Sequence, residues 1–387
     1  MTTSSFENTT THTTGYDLVV FCHLRWDFVF QRPQHLLTRF SNGHRVFLIE
    51  EPFFDADGTP RLELHPRSER ITIAVPHLVA GTNPDDVMPG LVRRMFDEQG
   101  IGEYVAWFYT PMMLPWSSEL SEPSAVVYDC MDELSAFRGA PPELLDREKQ
   151  LFEKADLVFT GGRSLYEAKR ERHDAVYCFP SSIDAAHFAQ ALSIDREPDD
   201  QRSIPHPRIG FAGVIDERAD IELLAAIADA RPDWHYVMIG PVVKIDPADL
   251  PRRDNIHYLG GKDYKELPAY IGGWDVAMMP FAMNESTRFI SPTKTPEYLA
   301  AGRPVVSTPV RDVVRPYGEE RLVEIASTPD EFVAAIERSL SLDLDEHRAR
   351  AAEFLSTNSW DKTQREMEDL IDEVARRQAK EMAAVPA

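Results

Sequence analysis

Short apolar runs alternate with helix-like segments along this chain, and the alternation happens twice. In the first half the runs are residues 17–22, 45–49, 71–75, 104–109, 125–129, 157–160 and 175–179. They are β-branched or aromatic and apolar almost throughout, which suits parallel strands covered on both faces. Helix-like segments at 33–40, 87–99, 142–154 and 164–171 fall between them. A charged, proline-bearing stretch at 190–207 interrupts the pattern. It then restarts, with strands expected at 208–213, 235–240, 256–259, 276–281, 304–307 and 322–325. Helices are expected at 221–230, 264–271, 294–301 and 329–339. Strand–helix alternation predicts a doubly wound parallel sheet. Seen twice, it predicts an α/β chain of two Rossmann-like domains facing a cleft. The expected division is a disordered tail over 1–15, a first domain over 16–190, a linker over 191–207, a second domain over 208–358 and a C-terminal helix within 359–387.

Composition agrees with two domains. The chain has 387 residues, 43% of them hydrophobic and 10% aromatic, enough for two cores. With 41 basic and 64 acidic residues the net charge is −23, which argues against nucleic-acid binding and its basic footprint. The three cysteines, Cys22, Cys130 and Cys178, sit in or beside apolar runs with no metal-ligand spacing, as in a reducing cytoplasm. Residues 1–15 are rich in Thr and Ser and lack an apolar stretch, so no secretory signal is expected. No run approaches the length of a membrane-spanning helix.

The densest motif is residues 291–306, Ser-Pro-Thr-Lys-Thr-Pro-Glu-Tyr-Leu-Ala-Ala-Gly-Arg-Pro-Val-Val. Ser291 or Thr293 can cap the helix that follows, and Gly302 ends it. A helix N-terminus favours anions, and Lys294 adds a full charge there. Glu297, one turn on, can accept from both hydroxyls of a ribose diol. A diphosphate beside a ribose describes a nucleotide; the alternative is a capped surface helix. Gly213 and Arg218 stand on a similar strand–helix junction, where glycine lets a phosphate approach the backbone and arginine can hold it with two bonds. Asp220 as a plain helix cap is the other reading. Gly240-Pro241 and Leu259-Gly260 close strands, as binding loops or as ordinary turns. In the first half His23, Arg25 and Trp26 follow the first strand and Arg32 opens its helix, facing a diphosphate or acidic acceptor or pairing with a carboxylate. Asp129 and Asp132 lie at another strand end. With His23 they are the candidates for a base that takes a hydroxyl proton. Asp-x-x-Asp without a third ligand makes a poor metal site.

Lys-x-x-Glu-Tyr-Leu-Ala-x-Gly-x-Pro-Val-Val resembles the nucleotide-sugar signature of GT-B glycosyltransferases. The chain is similar, more closely, to bacterial cell-surface polysaccharide transferases of the teichuronic-acid type. Four further segments agree in order: residues 26–35, 127–133, 180–188 and 210–220. The resemblance implies a nucleotide-sugar donor held by the second domain. Arg218, Lys294, Gly213 and Thr293 would then lie at the diphosphate, Glu297 at the ribose, and Gly240, Pro241, Leu259 and Gly260 near the base. It implies that the first domain presents a saccharide or lipid-linked acceptor and that the last helix returns to that domain. It also implies no metal and no cofactor beyond a UDP- or GDP-sugar co-substrate, in a cytoplasmic enzyme with room for peripheral attachment to the plasma membrane. One departure stands out. Retaining relatives carry Glu-x7-Glu ending at the position of Glu297, but eight residues earlier this chain has Phe289. That departure favours a non-catalytic nucleotide-sugar-binding module as one alternative; a nucleotide-sugar epimerase on the same fold is the other.

Overall fold

The computed structural model describes residues 15–384, so the tail expected over 1–15 lies, but for Gly15, outside the described residues. Among the described residues the strands form two sheets. The first contains β1 (Asp17–Phe21), β2 (Val46–Ile49), β3 (Arg61–Pro66), β4 (Ile71–His77), β5 (Tyr104–Phe108), β6 (Ala125–Cys130), β7 (Leu157–Thr160) and β8 (Val176–Cys178), in the order β3-β4-β2-β1-β5-β6-β7-β8. The second contains β9 (Arg208–Ala212), β10 (His235–Ile239), β11 (Ile256–Gly260), β12 (Val276–Met279), β13 (Val305–Ser307) and β14 (Val323–Ile325), in the order β11-β10-β9-β12-β13-β14. β1 pairs in parallel with β2 and β5, and β9 with β10 and β12. The central strands β1, β5 and β9 are buried along their whole length, as uninterrupted apolar runs require.

Several elements depart from the expected pattern, two of them instructively. β3 runs antiparallel to β4 at the sheet edge. Its sequence, Arg-Leu-Glu-Leu-His-Pro, is half-buried with exposed ends and alternates polar with apolar residues, so it lacks the apolar run that marks a covered strand. A helix at Leu344–Leu355 buries only a narrow stripe, His347, Ala351 and Leu355, among charged neighbours.

The chain divides into two compact units. The first takes the described residues through Asp129, then Glu143–Val158 and everything from Gln364 on; the second takes Cys130–Pro142 and Phe159–Thr363. Residues 159–190, expected in the first domain, thus group with the second unit. The segment expected as a linker is also packed. The buried Gln201 side chain accepts from Trp274 Nε1 at 2.9 Å and donates to the Tyr270 carbonyl at 2.9 Å, while Arg208 pairs with Glu197 at 2.8 Å. Within the first unit, the later part of the long helix Trp360–Ala384 is tied down by its polar side chains. Glu368 meets His44 Nε2 at 2.9 Å, and Asp372 accepts from the Tyr16 hydroxyl at 2.9 Å.

Candidate functional site

The C-terminal ends of three neighbouring strands in the second unit are bound together by their own backbone. Gly213 N–H donates to the Ile239 carbonyl at 2.8 Å, Gly240 N–H to Gly260 at 2.9 Å and Ile215 N–H to Pro241 at 3.0 Å. A Cβ on Gly240 would stand 1.8 Å from the Gly213 carbonyl oxygen, so glycine is obligatory for this approach. Gly240, Pro241 and Gly260 therefore first serve to set the loop after β9. Leu259 is half-buried against the core below.

The helix Lys294–Ala300 is fixed to that loop by Tyr298. The buried Tyr298 hydroxyl accepts from Ala212 N–H at 2.8 Å and lies 3.2 Å from the Ala212 carbonyl, to which it donates. Lys294 is four residues earlier, on the same helix face, and reaches Gly213, the next residue after Ala212. A Cβ on Gly213 would come 2.1 Å from Lys294 Cε and 2.6 Å from Nζ. Gly213 thus leaves the space that the ammonium occupies, with Nζ 5.7 Å from the Phe211 ring centre. Burial pushes the Lys294 amine below its usual range, and the Arg218 charge adds to this, while Glu297 and Asp216 oppose it. Burial likewise pushes the Glu297 carboxyl up to about 7. Lys294 and a hydrogen bond from Thr293 work against that rise. Thr293 accordingly corrects one expectation. It occupies the N-cap position without capping the helix through its side chain, and serves Glu297 instead.

Arg218 is near Lys294 and has a partner of its own. Asp216, only 2% exposed, accepts from Arg218 Nε at 3.0 Å and from Nη2 at 2.7 Å. The Phe137 ring lies 5.7 Å from this guanidinium and 4.9 Å from Lys244 Nζ. Asp132 is close enough to raise the Arg218 pKa. Glu217 buries both carboxylate oxygens, with Lys244 Nζ 3.7 Å away. Asp216 and Phe137 escaped the reading of the sequence. The Asp-x-Arg spacing at a strand–helix turn was the available signal for the first; nothing local marks the second.

The first-unit candidates do not form one open cluster. Asp129 is wholly buried, and Arg32 Nε approaches both its oxygens, at 3.1 and 3.0 Å. Burial raises the Asp129 pKa against the pull of Arg32. A closed pair of this kind holds the helix Arg32–Phe40 to β6; it suits neither a base open to substrate nor a free phosphate-binding cation. Arg25 bonds Glu50 at 2.9 Å and lies 3.9 Å over the Phe53 ring, and the Trp26 N–H donates to Glu50 at 2.7 Å. Trp26 and His23 are half-buried. Among the described residues no group of three or more His, Cys, Asp or Glu is placed to hold a metal ion.

The arrangement in the second unit can do one thing well. A cation in a close-packed glycine niche, with a carboxyl titrating near neutrality one turn away, suits a phosphate ester that also carries hydroxyls.

Residues 206–341 match the protein family described as glycosyl transferases group 1. A Bacillus subtilis protein named putative teichuronic acid biosynthesis glycosyltransferase TuaH is 27% identical over 279 residues, covering 67% of this chain and 70% of that one. Among solved structures, one from E. coli described as trehalose-6-phosphate bound with UDP-2-fluoro glucose superposes with a TM-score of 0.68 at 15% identity, over 92% of this chain and 99% of the other. WaaG, a glycosyltransferase involved in lipopolysaccharide biosynthesis, gives 0.61 at 14% identity, over 92% and 99%. At such identities the structural likeness is one of fold.

Proposed function

We propose, starting from a chain that has the GT-B fold and carries a group 1 glycosyl transferase domain over residues 206–341, that it transfers a hexose-like sugar from a nucleoside diphosphate donor held in the second unit. The observation that carries this is the Lys294 ammonium in the niche left by Gly213, with Glu297 one turn further along the helix. Lys294 takes the diphosphate and stabilises it as a leaving group, and Glu297 takes the ribose hydroxyls. Arg218, steered by Asp216, adds positive charge beside them. A UDP- or GDP-sugar is the donor, and charge from Lys294 and Arg218 makes a metal unnecessary. The acceptor is a saccharide or lipid-linked saccharide of a surface polysaccharide, a reading supported by the name of the B. subtilis relative. With Asp129 enclosed by Arg32, the proton-accepting role falls to Asp132 or His23, both partly exposed. Among the described residues no helix is long and apolar enough to cross a membrane.

A thermal-shift panel of UDP-, GDP- and dTDP-sugars tests the donor assignment, because a ligand of the native state raises its apparent stability. At least one should raise the melting temperature with excess EDTA present. If none does, or if the shift appears only with Mg²⁺ or Mn²⁺, the metal-free donor site is wrong.

A further inference from the structure

Two loops of the first unit follow the neighbouring parallel strands β1 and β2. Their backbones and side chains are joined through Glu50, which accepts from both Arg25 and the Trp26 N–H. From these loops project Phe28, Phe30, Phe53 and Phe54, 53%, 39%, 44% and 49% exposed. Among the described residues no other phenylalanine is exposed to this degree. Exposed rings concentrated on joined loops mark a contact surface.

The charges around the rings decide between occupants. Arg25 is taken by Glu50, and Arg67 pairs with Asp27. Asp55 pairs with His77, and Glu51 and Asp57 stand exposed on the same loop as Phe53 and Phe54. Carboxylates outnumber arginines, and the arginines are already engaged. Such a rim repels anionic lipid headgroups. It accepts hydrogen bonds from hydroxyls, while the exposed Phe28 and Phe54 rings cover the C–H faces of pyranose rings; the Phe53 ring is itself packed between Arg25 and His77 and steadies the second loop. We infer that Phe28, Phe30 and Phe54, with their acidic rim, form a platform for an uncharged saccharide chain. This rests on the transferase reading and names its acceptor class as a neutral glycan.

The test uses the full chain and the variants Phe28→Ser and Phe54→Ser, whose positions are exposed. Binding is measured to a panel of neutral and uronic-acid-containing oligosaccharides and to vesicles of phosphatidylethanolamine and phosphatidylglycerol. UDP, GDP and dTDP binding is measured in parallel. The expected result is retention of a neutral oligosaccharide that weakens about tenfold in each variant, the scale of one lost aromatic contact. Nucleotide binding and melting temperature should stay unchanged. The inference is overturned if no neutral saccharide binds, if the variants bind it as wild type does, or if vesicle binding is what the variants lose. Failure of every nucleotide to bind, with saccharide binding intact, would instead count against the donor site.

Discussion

Glu297 shows how one side chain can report on the site before any ligand is added. Its carboxyl is raised from 4.5 to about 7, chiefly by burial. A folded-state pKa above the unfolded one contributes stability below about pH 4.5, and that contribution is lost as pH rises through about 7. Stability measured by urea unfolding should therefore decline across this window. Glu297→Gln should remove that component, worth at most about 3 kcal/mol. Superimposable pH profiles for variant and wild type would mean that Glu297 is not held in this environment. The same substitution should weaken binding of a ribose nucleotide more than that of its 2′-deoxy counterpart, because the amide offers one acceptor oxygen where the carboxylate has two. Equal weakening, measured by titration calorimetry, would remove Glu297 from the ribose.

At the scale of elements, the site depends on a strand end and a helix start held in register. Tyr298 makes that join through the Ala212 backbone. Tyr298→Phe leaves a buried N–H and carbonyl short of a partner and should cost roughly 1–3 kcal/mol. Gly213→Ala should act differently. Its Cβ would collide with the flexible end of Lys294, not with backbone. Nucleoside diphosphate affinity should then fall about tenfold or more, the scale of a charge-assisted bond, beside a modest loss of stability from the positive φ of Gly213. A large loss of stability with affinity retained would show the niche to be structural. These joins were only partly legible in the sequence. Apolar runs marked the buried strands to within a residue or two at most ends, because burial on both faces leaves no alternation to confuse. Lys294, Glu297 and Gly213 were readable from local spacing. The engagement of Arg218 by Asp216, the service of Thr293 to Glu297, and the enclosure of Asp129 by Arg32 across 97 positions depend on packing that spacing does not encode. β3 and the exposed phenylalanines went unread for the opposite reason, since β3 is an edge strand without a continuous apolar run and the phenylalanines face solvent.

At the scale of the whole chain, the two units differ in what holds them. The first is closed by the C-terminal helix, whose Met367, Ile371 and Val374 are buried and whose Glu368 faces His44. Burial disfavours charge on His44, but Glu368 and the Tyr16 carbonyl outweigh it and raise its pKa. Removing residues 364–387 should therefore destabilise the first unit by several kcal/mol, about 1.5–3 for each apolar side chain exposed. Denaturation that leaves its midpoint unmoved would contradict that role. The second unit contains the residues that match the group 1 glycosyl transferase family, and the role proposed for Lys294 there is to hold a diphosphate. The most direct measurement is calorimetric binding of UDP, GDP and dTDP and of their nucleosides to wild type and Lys294→Ala. At least one diphosphate should bind wild type and lose tenfold or more in the variant, while its nucleoside loses little. Equal loss for nucleoside and diphosphate, or no binding of any nucleotide by wild type, would contradict this role of Lys294.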